Sequence, residues 1–445
     1  MDFVVEPGEG LNGEIILPGD KSISHRAIMC ASLASGTSTI KGFLESEDCL
    51  ATMRSFQELG VDITKEGNCL KIEGKGLYGL RKPDRILDVG NSGTSMRIAT
   101  GILAGQKFDS IITGDESLLK RPMGRIIEPL KEMGFSVIAQ KGGTPPLKIS
   151  KVNQVYPINY ELPIASAQVK SCLMFAALYA SDTSVIKESK VTRDHTERMF
   201  KKFGMPIDVK KSKFSKTISV SPPTEIRPTN LEICSDFSSA AFFILAAIIT
   251  PNSHLLINKV GVNKTRIGFL AALKEMGGHV IIKNLSEGYE PTADIEVKSS
   301  KLNGITLDPK LVPNINDEIP ALFIAAALAE GTTQIRGVQE LRVKESDRLE
   351  VMSKSLGLFG VPYVLSEDGI DITGLNQSLP DSNTKEPFNE AEIDSFGDHR
   401  IAMACAIGAL RSRGQCRIKN CENVTTSFPT FLEVADKLGL NIKTD

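Results

Sequence analysis

The chain has 445 residues, 41% of them apolar, and its 52 basic and 54 acidic side chains leave a net charge of −2. That length suggests two or three domains with substantial cores, and near-neutrality excludes a general attraction to nucleic acid or to an acidic membrane. Any anion site must therefore be local. No apolar run reaches membrane-spanning length, because Ala240 to Ile249 stops at Thr250-Pro251.

Met1 to Ile16 reads as a short strand entry. Leu17-Pro18-Gly19-Asp20-Lys21-Ser22-Ile23-Ser24-His25-Arg26-Ala27 then combines a strand end, a tight turn and the polar first turn of an apolar helix. Asp20, Ser22 and Ser24 are capping residues, and Lys21 and Arg26 add charge where backbone N–H groups are unpaired, which together favour an anion. Taken alone, the stretch is equally an ordinary capped helix. Recurrence decides against that reading.

The pattern returns at Val89-Gly-Asn91-Ser-Gly93-Thr94-Ser-Met-Arg97, at Leu162-Pro-Ile-Ala-Ser166-Ala167-Gln168-Val-Lys170, and at Ile233-Cys-Ser-Asp236-Phe-Ser238-Ser239. It returns again at Val312-Pro-Asn-Ile-Asn316-Asp317-Glu318 and at Ile393-Asp394-Ser-Phe-Gly397-Asp398-His399-Arg400. Glu58-Leu-Gly60, Glu132-Met-Gly134 and Glu275-Met-Gly277 close the second helix of three copies, glycine being the usual left-handed stop. Intervals of roughly 70 to 80 residues exceed solenoid periods, so the reading is α/β units grouped three to a globular half. Ser221 to Pro228, rich in chain breakers, is the expected linker, and the polar stretch from Leu375 to Glu392 is an expected exposed loop.

The eight cysteines never form Cys-x-x-Cys and lie mostly in apolar runs, which suits reduced thiols in a cytoplasmic protein without a secretory N-terminus. Cys416 and Cys421 could bridge or bind metal, but their spacing matches no zinc pattern and no histidine is near. Neither a metal nor a nucleotide or other cofactor is expected.

Two charged runs stand out. Lys120-Arg121-Pro122-Met123-Gly124-Arg125 reads as a rigid turn presenting Arg121 to a carboxylate or phosphate. In Arg342-Val343-Lys344-Glu345-Ser346-Asp347-Arg348, a helix would set Lys344, Glu345 and Arg348 on adjoining faces, although a solvated helix with internal ion pairs is the commoner fate of such a run.

Together these motifs, in this order and over essentially the whole chain, resemble the 5-enolpyruvylshikimate-3-phosphate synthase family. The resemblance implies an α/β enolpyruvyl transferase fold of two domains, each of three βαβαββ units, with helix N-termini converging on an interdomain cleft. Residues 1–19 with 228–445 would form one domain and residues 20–227 the other. It also implies transfer of the carboxyvinyl group of phosphoenolpyruvate to the 5-hydroxyl of shikimate 3-phosphate, by a cytoplasmic monomer with two small-molecule substrates and no nucleic-acid or membrane partner.

Residue by residue, the resemblance puts Ser22 and Arg26 on the shikimate carboxylate. Ser166, Ala167 and Gln168, with Thr192 or Arg193, go to its phosphate, and Asp317 and Lys344 to its hydroxyls. Lys21, Gly93, Arg121, Gln168, Arg348 and Arg400 would hold phosphoenolpyruvate. The 5-hydroxyl must lose a proton while the methylene carbon gains one, so Asp317 is assigned as base and Glu345 as acid, with Lys21 as a second proton carrier. For Glu345, neighbouring cations lower the pKa and burial raises it, and both directions stay open.

Departures from the best-known branch are Ala167 in place of a serine, Glu340 in place of an asparagine, the block Thr192-Arg193-Asp194-His195, and the absence of a lysine in Asn423 to Pro429. Together they resemble a second branch noted for glyphosate tolerance. The sister transferase acting on UDP-N-acetylglucosamine needs a cysteine near residues 110–125, which this chain lacks. A non-catalytic binding protein would not need Lys21, Asp317, Glu345 and Arg348 together.

Overall fold

The computed structural model describes residues 1–212, 215–375 and 386–445, so most of the expected loop before the sixth copy lies outside the described residues. The chain forms two compact units, a first of Met1–Pro18 with Cys234–Asp445 and a second of Gly19–Ile233.

In the second unit the helices are α1 (Lys21–Leu33), α2 (Glu47–Glu58), α3 (Gly93–Ala104), α4 (Gly124–Glu132), α5 (Ala167–Ala177) and α6 (His195–Lys202). Three four-stranded sheets share one order. In the third, Asn159–Glu161 runs parallel to Ser184–Glu188, followed by antiparallel Lys216–Val220 and Ile207–Lys211. Leu87–Asp88, Ser110–Thr113, Leu147–Ser150 and Ser136–Ile138 repeat it.

The sheet of the first copy borrows its leading strand from the far end of the segment, because Leu231–Glu232 pairs in parallel with Ser35–Lys41. Residues 228–233, expected in the other domain, are therefore held here by backbone hydrogen bonds.

The first unit contains α7 (Phe237–Ile249), α8 (Gly268–Glu275), the single turn α9 (Val312–Ile315), α10 (Ile319–Ala327), α11 (Arg348–Leu358), α12 (His399–Ala409) and α13 (Phe431–Lys437). Its sheets need the chain's first residues. Asn12–Ile16 pairs in parallel with His254–Gly261, and Phe3–Val5 lies between Cys416–Lys419 and Ile442–Thr444, antiparallel to both. The strand Glu392–Asp394 completes that last sheet in parallel with Cys416–Lys419.

Local chemistry sets the helix ends. Asp20, Ser92, Ser166, Asp236 and Asp398 each cap a helix by accepting from a backbone N–H in its first turn. Gly60, Gly134, Gly204, Gly277, Gly360 and Gly439 stop the second helix of every copy, with φ between 70° and 94°. Only three of those stops were marked by the recurring Glu-x-Gly phrase.

Every residue of α7, α10 and α12 is buried, and the three helices pack on one another in the core of the first unit. In the second unit α3 packs on α5 so tightly that a Cβ on Gly101 would stand 2.3 Å from the Cys172 carbonyl oxygen. These buried helices fix where their polar first turns lie. Among the described residues no helix is long and apolar enough to cross a membrane, and all eight cysteines are free, seven of them buried.

Candidate functional site

Each unit carries its own cluster of expected residues at the starts of buried helices. In the second unit, Lys21 opens α1 with its Nζ 2.5 Å from Asp48 Oδ2 at the start of α2. Ser22, beside it, is half-buried. Arg26, one turn further, is 4% exposed and bonded at each nitrogen: Nε donates to Thr196 Oγ1 at 2.7 Å, Nη1 to the Ser22 carbonyl at 2.9 Å and Nη2 to Ser171 Oγ at 2.9 Å. Burial lowers its pKa to about 10, and the nearby charge of Arg193 adds to the effect.

The start of α3 is more strongly cationic. A Cβ on Gly93 would meet Arg97 Nη1 at 2.9 Å and Arg121 Nη1 at 3.1 Å, so two guanidiniums flank the first helical residue. Arg121 follows a short turn of 3₁₀ helix, is 7% exposed, and donates through Nη2 to Asn91 Oδ1 at 2.8 Å and Ser117 Oγ at 3.2 Å. Arg97 Nη1 donates to Gln168 Oε1 at 2.7 Å, and Gln168 Nε2 donates to Thr94 Oγ1 at 3.0 Å, which ties α3 to α5. Two cations at a helix N-terminus oppose the macrodipole, and the guanidiniums and the helix start would both favour an anion there.

At the start of α5, Ser166 is the cap and Ala167 the first helical residue, its carbonyl accepting from Ser171 Oγ at 2.6 Å. Of the two residues expected near the phosphate, Thr192 is 3% exposed and its hydroxyl donates to Glu188 Oε1. Thr192 points inward, while the neighbouring Arg193 is half-buried.

In the first unit, Arg348 is the first residue of α11 and 1% exposed. Its Nε donates to Asp398 Oδ2 at 2.8 Å, its Nη2 to Glu345 Oε2 at 2.6 Å, and its Nη1 is 3.6 Å from Asp317 Oδ1. Burial alone would lower the pKa of this guanidinium, but Asp398, Glu345 and Asp317 outweigh it and raise it. Lys344 responds the other way: burial lowers its pKa despite the charge of Asp317. Arg400, 6% exposed, enters through its backbone, its N–H donating to Asp398 Oδ1 at 2.9 Å.

The run from Arg342 to Arg348 is not one helix, as the spacing suggested. A 3₁₀ turn ends at Val343, Lys344 is extended, and Asp347 caps α11 by accepting from Glu350 N. Capping chemistry overrides the charge periodicity. The Glu345–Arg348 pair forms nevertheless. Arg342 does other work, bonding the carbonyls of Ser366 and Glu367 and pairing with Asp347.

Asp48, Arg97 and the carboxylate of Asp398 join these clusters without having been singled out. Arg97 and Asp398 lie inside the recurring motifs, four residues after Gly93 and two before Arg400, where helical spacing alone points to them. Asp48 lies 27 residues from Lys21, and only the packing of α2 reveals it.

A protein-family model for EPSP synthase (3-phosphoshikimate 1-carboxyvinyltransferase) matches residues 5–435. A 3-phosphoshikimate 1-carboxyvinyltransferase of Hydrogenovibrio crunogenus is 46% identical over 446 residues, covering 99% of this chain and 98% of the relative. One of Ruthia magnifica is 48% identical over 441 residues, covering 99% and 98%. An EPSP synthase structure from Acinetobacter baumannii superposes with a TM-score of 0.86 at 45% identity, covering 99% of both chains. The enolpyruvyl transferase NikO from Streptomyces tendae has a TM-score of 0.78 at 14% identity, covering 99% of this chain and 98% of its own, and shares the fold.

Proposed function

Because this chain belongs to the EPSP synthase family, we propose that it transfers the carboxyvinyl group of phosphoenolpyruvate to the 5-hydroxyl of shikimate 3-phosphate and releases phosphate, in aromatic amino acid biosynthesis. The observation that carries this reading is the placement of Asp317 and Glu345 on one buried arginine, Arg348. A base, an acid and a cation for an anionic substrate are thereby held together.

In the proposed reaction Asp317 takes the proton of the 5-hydroxyl, whose oxygen bonds to C2 of phosphoenolpyruvate. Glu345 gives a proton to the methylene carbon. The Glu345 carboxylate then takes a proton back from that carbon, which restores the double bond as the C2–O bond to phosphate breaks. Lys21 is a second candidate for proton transfer, its ammonium kept in place by Asp48.

Arg348 and Arg400, with Lys21, Gly93, Arg121 and Gln168, are assigned to phosphoenolpyruvate. Ser22 and Arg26 are assigned to the shikimate carboxylate, and Ser166, Ala167, Gln168 and Arg193 to its phosphate. Asp317 and Lys344 take its ring hydroxyls. A phosphate carries about −1.5 to −2 charges, which suits the paired guanidiniums beside Gly93. We assign the protein to the cytoplasm as a monomer, as its family likeness implies.

The test is phosphate release with phosphoenolpyruvate and either shikimate 3-phosphate or UDP-N-acetylglucosamine as acceptor. Release with the first acceptor only is expected. Release with the nucleotide sugar only, or with neither, would overturn the assignment.

A further inference from the structure

Behind α5 lies a cluster of charges that no substrate assignment uses. Lys170, four residues after Ser166, has its Nζ 3.0 Å from Glu188 Oε2 and 2.9 Å from Glu197 Oε1. Glu197 Oε1 is also 3.1 Å from Lys216 Nζ, which is 3.9 Å from Asp194 Oδ2. Asp194 pairs in turn with Arg198 Nε at 2.7 Å. Among the described residues these contacts set three cations against three carboxylates, and Lys170, Glu188, Glu197 and Lys216 are each at most 4% exposed.

Stability does not account for such a cluster. Desolvating paired charges costs about what the pairing returns, and well-packed apolar side chains of similar volume do as well or better. Desolvation would lower the pKa of Lys170, yet Glu197 and Glu188 raise it, so the ammonium stays charged.

Position does account for it. Glu188 ends its strand, and its Oε1 accepts from the Thr192 hydroxyl and from Thr192 N at 3.3 Å. The segment from 189 to 192 is thereby folded back onto one carboxylate immediately before Arg193. On the other side of Arg193, Thr196 accepts from Arg26 Nε at 2.7 Å and lies 2.6 Å from Ser171 Oγ on α5. Both anchors return to α5, Glu188 through Lys170 and Thr196 through Ser171. The tether matters because the charges of Arg193 and Arg26 repel each other when no anion lies between them.

We propose that Glu188, held by Lys170, is a positioning residue that fixes Arg193 for the phosphate of shikimate 3-phosphate. The inference rests on the substrate assignment above and adds the group that orients the phosphate contact. Glu188 touches no substrate; it acts through Thr192.

The test is titration calorimetry of the full chain with shikimate 3-phosphate and with shikimate, for the wild type, Thr192→Val, Thr192→Ser and Glu188→Gln. Thr192→Val and Glu188→Gln should weaken shikimate 3-phosphate about tenfold or more, the scale of a lost charge-assisted contact, and shikimate less than about twofold. Thr192→Ser, which keeps the hydroxyl, should restore the difference between the two ligands. In turnover, KM for shikimate 3-phosphate should rise while kcat changes less than about threefold.

Thr192→Val removes no charge, so it decides the matter even if Glu188→Gln does not fold. Equal weakening of both ligands, or a lowered melting temperature with unchanged affinities, would make the cluster purely structural and overturn the proposal. Wild type that fails to bind shikimate 3-phosphate would overturn the substrate assignment, and this inference with it.

Discussion

Arg348 Nε lies 2.8 Å from Asp398 Oδ2, and that contact joins the first residue of α11 to the cap of α12. The other oxygen of Asp398 accepts from Arg400 N, so one fully buried carboxylate orients two arginines, one by its side chain and the other by its backbone. Asp398→Ala should therefore cost about 3–5 kcal/mol, the usual result of stranding a buried charge. Asp398→Asn, which keeps a capping oxygen, should lose less. Urea unfolding of the two variants measures the difference, and equal losses would mean that capping is irrelevant here.

Glu345→Gln keeps the size of the side chain and can still accept from Arg348 Nη2, which is 2.6 Å away in the wild type. If Glu345 is the acid, kcat should fall about 10²- to 10⁴-fold. The KM values should move by no more than about threefold. Steady-state kinetics with both substrates would reject the role if kcat held and only KM rose.

Gly93→Ala puts a methyl group against Arg97 Nη1 and Arg121 Nη1, at 2.9 and 3.1 Å. Both atoms end flexible side chains, so the fold should survive while the guanidiniums shift. KM for phosphoenolpyruvate should rise about tenfold, equivalent to roughly 1.4 kcal/mol, with KM for shikimate 3-phosphate nearly unchanged. A larger effect on shikimate 3-phosphate would contradict the assignment of Gly93.

His25 is completely buried, with Nδ1 2.7 Å from Thr52 Oγ1 and 3.4 Å from Ser95 Oγ. Burial holds its pKa well below 6.5, and the charges of Lys21 and Arg26 push the same way. Between that lowered value and 6.5 the unfolded chain binds more protons than the folded one, so stability falls as pH drops through this window. The slope from this group is at most about 1.4 kcal/mol per pH unit. His25→Asn should flatten the loss of stability between neutral and mildly acid pH, as read from urea midpoints. An unchanged slope would show that the histidine contributes nothing to it.

Gly101→Val would force side-chain atoms into the Cys172 carbonyl, to which even a Cβ would come within 2.3 Å. Overpacking of this kind costs about 1–3 kcal/mol. Thermal melting should show a drop of a few degrees, and an unaltered melting temperature would mean that α3 and α5 separate freely.

Much of this architecture was legible in one dimension because its determinants are local. Capping residues, left-handed glycines and apolar runs act within a few positions of themselves, and six repetitions made each of them readable. The same locality misled at Arg342 to Arg348, where charge spacing suggested a helix and Asp347 instead starts one at Arg348. It also placed residues 228–233 on the wrong side of a boundary, because nothing near Leu231 shows that it pairs with Ile40.

The sequence by itself determined where the buried helices begin and which cations and hydroxyls stand at their first turns, since helix starts are set by neighbours one turn away. Only the tertiary structure decided what each charged group meets: Asp48 for Lys21, Asp398 for Arg348, and Glu188 for Lys170. Those partners are 27, 50 and 18 residues away along the chain. Even the nearest of them depends on a helix and a strand brought together by packing, which no spacing rule encodes.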